Sequence, residues 1–99
     1  MAVKLKIHEL AAQELLDGVE WYNQLQNGLG KRFKETVVFQ VDKIRKNPGW
    51  FPKESNDIFK AYIPKFPYKI LYSIEENLII IWAIAHMHRR PWYWQSRKK

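Results

Sequence analysis

The chain has 99 residues, 46% of them hydrophobic, with five each of Trp, Tyr and Phe, which excludes a disordered polymer and fits one globular domain spanning residues 1–99. Seventeen Lys and Arg against ten acids leave a net charge of +7, which points to polyanions or an acidic protein partner. The absence of Cys removes disulfides, thiolate nucleophiles and Cys-based metal sites, and the longest apolar run, Leu78 to Ala85, is too short to span a bilayer, so a cytoplasmic protein with no membrane partner is expected.

Val3-Lys4-Leu5-Lys6-Ile7-His8 alternates strictly, which predicts a half-buried strand with Val3, Leu5 and Ile7 facing inward. A helix follows from about Glu9 to Leu25, with Ala11, Ala12, Leu15, Leu16, Val19 and Tyr22 recurring at helical spacing. Glu9 and Glu14 lie toward its N-terminal end, where acids suit the helix dipole. Asn27-Gly28-Leu29-Gly30 breaks the pattern, and a second helix runs from Leu29 or Gly30 to Lys46 with Leu29, Phe33, Val37, Val41 and Ile44 as its buried stripe. Cations Lys43, Arg45 and Lys46 close that helix before Asn47-Pro48-Gly49 stops it. So short a link predicts an antiparallel helical hairpin.

Residues 48–57 read as a loop. Strands are predicted at about Ile58–Ile63, Tyr68–Glu75 and Leu78–His86, with Glu76-Asn77 as a tight turn. The last strand is apolar on both faces and should be central. The order is β-α-α-β-β-β, an α+β domain with the hairpin packed on one face of a mostly antiparallel four-stranded sheet.

Charge is unevenly shared. Residues 58–99 carry eight Lys and Arg against two acids, while residues 1–57 carry nine against eight. If Tyr68, Ile70, Tyr72 and Ile74 meet the helices, then Lys69, Leu71 and Ser73 look the other way, as do Lys60 and Tyr62. This register forms a groove lined by Lys60, Tyr62 and Lys69 and closed by His86, Arg89, Arg90 and Tyr93. Leu71 and Trp82 are expected to be exposed there. His86 and His88 flank Met87 and point to opposite sides of an extended chain, which argues against a two-His metal site; no metal or cofactor is expected. Such a groove fits metal-free RNA cleavage, in which a 2′-hydroxyl attacks its own phosphorus. Cations then hold the phosphate oxygens and a side chain carries the proton. It equally fits docking of a protein without catalysis.

Several segments resemble the RelE/ParE superfamily of toxins from bacterial type II toxin–antitoxin, or plasmid stabilisation, systems. The carriers are Ala12-Gln13-Glu14-Leu15 with Glu20-Trp21-Tyr22, Gly28-Leu29-Gly30 with Phe33, and Ile44 with Asn47-Pro48. Lys65-Phe66-Pro67-Tyr68 with Tyr72, Ala83-Ile84-Ala85-His86, and Arg89-Arg90-Pro91 with Tyr93-Trp94 complete the set. The resemblance implies the same β-α-α-β-β-β fold and an acidic antitoxin encoded alongside. It implies one of two targets: mRNA on the ribosome, as for RelE, or DNA gyrase, as for ParE. A metal-independent endoribonuclease is the favoured expectation, with a gyrase poison lacking catalysis as the alternative. Lys60, Lys69, Arg89, Arg90 and Tyr93 would then be catalytic, and Tyr62, Lys65, His86 and His88 would contact RNA. Two departures stand out. Tyr62 occupies a position that is basic in RelE-like enzymes, and Phe59 one where many relatives carry Arg.

Overall fold

The computed structural model describes residues 4–98; Val3 of the expected first strand lies outside them. The order is β1 (Lys4–Ile7), α1 (Glu9–Leu25), α2 (Leu29–Lys46), β2 (Lys53–Ser55), β3 (Ile58–Tyr62), β4 (Tyr68–Glu75), β5 (Leu78–His86) and a closing 3₁₀ turn at Gln95–Lys98. The sheet order is β1-β5-β4-β3-β2, with β1 parallel to β5 and every other pair antiparallel. This is the α+β arrangement expected, with one strand more. Lys53–Ser55, read as loop, pairs with β3 across an irregular register. Three residues are too few for period-two alternation to declare a strand.

Helix packing follows from local chemistry. The His8 imidazole Nδ1 accepts the Leu10 N–H at 3.1 Å and caps α1. Gly28 takes the left-handed conformation at φ 88°, and with no side chain it cannot cap α2. Asn23 of α1 does so instead, its Oδ1 accepting the Gly30 N–H at 2.8 Å. The buried positions of α2 are Gly30, Phe33, Val37, Gln40 and Ile44, at alternating spacings of three and four. On α1 they are Ala11, Gly18 and Tyr22, with Leu15 and Val19 partly covered. Leu16, expected inside, is 60% exposed because it sits one residue, about 100° of helix turn, past Leu15. Ile7, also expected inside, is 38% exposed, since it lies on an edge strand while α1 packs on β5.

Two cores lie on opposite faces of the sheet. The larger joins the helices to Ala61, Ile70, Tyr72, Ile79, Ile81 and Ile84. The smaller holds Ile58, Leu71, Trp82, Ala83, Ala85 and Trp94. Leu71 and Trp82, expected to be exposed, are therefore buried, because the C-terminal tail folds back and Trp94 covers them. A bulge makes this possible. Leu71 faces Ala83 while Tyr72 faces Ile81, so Trp82 is the extra residue and shares a face with Ala83. Its indole N–H donates to Ser73 Oγ at 2.9 Å. Among the described residues no helix is long and apolar enough to cross a membrane.

Candidate functional site

Lys60 and Lys69 stand on the face opposite the helices, whereas His86 and Arg89 also line a cleft with Glu14, Asp17, Gly18 and Trp21 of α1, and two carboxylates have reached these cations first. Lys69, His86, Arg89, Arg90 and Tyr93 line one cleft together with Glu54. Glu54, carried by β2, places both oxygens 3.0 Å from Lys69 Nζ and one of them 3.9 Å from Lys60 Nζ. Lys60 also lies 5.8 Å from the Tyr62 ring centre, so Lys60, Tyr62 and Lys69 are neighbours across the β3–β4 ladder. Lys65 is elsewhere, in a separate surface cleft with Arg32, Phe39 and Phe66.

Glu14 is the second anion. Its Oε2 accepts the Tyr93 hydroxyl at 2.6 Å and an Arg97 N–H at 3.0 Å; its Oε1 accepts a second Arg97 N–H and the Ile84 backbone N–H, both at 3.0 Å. The Ile84 amide needs this partner because β1 ends at Ile7, opposite Ile81. Arg97 also donates to the Trp82 carbonyl at 2.9 Å. Arg89 stacks 3.9 Å over the Tyr93 ring and reaches within 4.0 Å of Glu14. Burial, then the Glu14 hydrogen bond, pushes the Tyr93 phenol far above its ordinary value of 10, so the hydroxyl is a committed donor at neutral pH.

Arg90 is exposed and makes no ion pair among the described residues. The histidines depart from the extended arrangement expected. The chain turns after His86, the His88 N–H donates to His86 Nδ1 at 3.1 Å, and the rings lie 5.3 Å apart. Burial first, and the charge of His88 second, hold His86 below its usual value of 6.5.

Sequence reasoning missed Glu14, Glu54 and Arg97. Glu14 left a signal: it falls on the stripe defined by Ala11, Leu15 and Gly18, and an acid on a buried stripe requires a partner. Glu54, in a stretch without periodicity, left none.

One consequence concerns alkaline pH. Tyr72 is shifted upward by burial, as Tyr93 is, and its hydroxyl donates to the Pro48 carbonyl at 2.6 Å. A phenol with a raised folded-state value lends stability that is complete below its unfolded value and lost as pH climbs through the folded one. Stability should therefore fall above about pH 10, and less steeply for Tyr93→Phe. Urea midpoints across the alkaline range test this; a flat profile would contradict it.

A family model described as the ParE toxin of the type II toxin–antitoxin system parDE matches residues 5–91. Among solved structures, the chromosomal ParDE toxin–antitoxin system of P. aeruginosa superposes with a TM-score of 0.78 at 18% identity, covering 88% of this chain and 98% of that one. A double arginine-to-alanine variant of the E. coli toxin RelE in the free state gives a TM-score of 0.70 at 16% identity, covering 99% and 97%. The isolated E. coli RelE toxin gives 0.66 at 16%, covering 98% and 97%. No curated protein matches in sequence. Eighty-seven matched residues make the assignment: the chain belongs to the ParE toxin family of type II toxin–antitoxin systems, within the RelE/ParE superfamily.

Proposed function

We propose that this toxin acts as a ParE-like poison of DNA gyrase, by binding, and does not cleave RNA. One observation carries the reading: the groups that RNA cleavage would require are already bound within the chain. Lys69 and Lys60 are paired with Glu54, and the Tyr93 hydroxyl donates its hydrogen bond to Glu14. A lysine held at 3.0 Å by a carboxylate must give up that partner before it can grip a phosphate, and a phenol buried against a carboxylate is a poor proton carrier. The helical hairpin supports a protein target. Trp21 and Leu25 on α1, and Val38 and Phe39 on α2, are large apolar side chains left more than half exposed. As a type II toxin the chain has an antitoxin partner.

The purified toxin is expected to inhibit supercoiling by purified gyrase, and cells expressing it should arrest with their messages uncut. Lys69→Ala and Tyr93→Phe should keep toxicity, since neither side chain acts on a substrate. Tyr93→Phe should cost only about 1–2 kcal/mol of stability for the lost hydroxyl. Unaffected gyrase, with new mRNA ends mapped in arrested cells, would reverse the reading in favour of the endoribonuclease. One observation favours that second reading: Arg90 and His86 line the cleft, and among the described residues no carboxylate is bound to Arg90.

A further inference from the structure

We infer that Glu54 is a resident counter-anion that fills a latent phosphate site in the Lys69 cleft, and that its removal alone would turn the cleft into a binder of single-stranded nucleic acid. The inference rests on the reading of the cleft as catalytically silent and names the residue that silences it.

Geometry is the first support. Both Glu54 oxygens lie 3.0 Å from Lys69 Nζ, the arrangement two phosphate oxygens would adopt around an ammonium group. Lys60 approaches the same carboxylate at 3.9 Å from the neighbouring strand. The ion pair is sheltered, with both side chains 20% exposed, so solvent and salt screen it weakly. An arriving phosphodiester therefore meets two lysines whose charge is partly cancelled, and Arg90 as the open cation.

The second support is where Glu54 is mounted. It sits at the centre of β2, a three-residue strand at the sheet edge whose pairing with β3 is irregular. Lys69 and Lys60 stand on β4 and β3, inside the ladder. The cations are thus fixed by the sheet, while the anion is carried by its least anchored strand. The flanking chemistry also suits a nucleic acid. Arg89, Arg90 and the exposed ring of Trp92 line the same cleft, supplying guanidinium forks and a stacking surface.

The test is binding of a short oligothymidylate to the purified toxin, measured by fluorescence anisotropy over a salt series. Glu54→Gln keeps the shape and removes the charge. It should tighten binding about tenfold at low salt and steepen the log–log salt dependence by about 0.7 for each lysine released. Glu54→Gln with Lys69→Gln restores the wild-type net charge and should abolish most of the gain. No change in affinity or salt slope for folded Glu54→Gln would overturn the inference, as would a gain that survives loss of Lys69. If the variant does not fold, amine labelling of the wild-type protein decides. Lys69 should gain no protection when the oligonucleotide binds, and strong protection would mean the site is already open. None of these readouts involves gyrase, so failure here is distinct from failure of the proposed function.

Discussion

Glu14→Ala is expected to cost about 3–5 kcal/mol of folding stability, the range for removing one partner of a buried ion pair. The carboxylate is 13% exposed and the Arg97 guanidinium 9%, so the substitution leaves a buried positive charge without its counter-ion. It also strips the Ile84 amide and the Tyr93 hydroxyl of their acceptors. Because Tyr93, Arg89 and Arg97 all belong to the segment after β5, the tail should loosen from the sheet and uncover Trp82 and Leu71. Urea denaturation with tryptophan fluorescence measures both effects. Arg97→Ala should cost a comparable amount, and the double variant clearly less than the sum of the two, since each single change already breaks the same contact. Additive losses would mean that Glu14 and Arg97 do not act as a pair.

Phe33→Ala should have an effect of similar size, about 3–5 kcal/mol, for a different reason. The ring is fully buried and packed at 4.8–5.1 Å centre to centre against Tyr22, Phe66 and Tyr68, tying α2 to α1 and to the β3–β4 connection. It also lies over Gly18, where an added Cβ would come 2.6 Å from Phe33 Cε2. Gly18→Ala alone should therefore be destabilising, even though alanine is favoured over glycine inside a helix by about 1 kcal/mol. In a Phe33→Leu background the smaller side chain makes room, and the same Gly18→Ala change should become neutral or stabilising. Thermal melts of the four proteins form a double-mutant cycle; equal effects of Gly18→Ala in both backgrounds would show that the ring does not set the helix spacing. Gly30 is a stricter case, because its added Cβ would lie 2.2 Å from the Val19 carbonyl oxygen, and backbone cannot move aside as a ring edge can.

Much of this molecule is written in short-range pattern. The spacing of apolar side chains marks α1 and α2 to within a residue, and alternation marks β4 together with the face each of its residues takes. Glycine at 28 announces the helix break because few other residues accept its φ. These features depend on neighbours within a turn or two, and a chain read left to right contains them. The resemblance to RelE and ParE toxins was legible in the same way, and the family model matches residues 5–91.

What the tertiary structure decided are the contacts between residues far apart in the chain. Glu14 meets Arg97 across 83 positions, and Glu54 meets Lys69 across 15 from a strand too short to have a period. The bulge at Trp82 and the return of Trp94 over the second face likewise depend on how the tail closes. Periodicity reports which side of an element is apolar, but not which charge will stand opposite which. The choice between free and neutralised cations, and with it the chemistry open to the cleft, is made only when distant segments are brought within a few ångströms in a medium that screens them poorly.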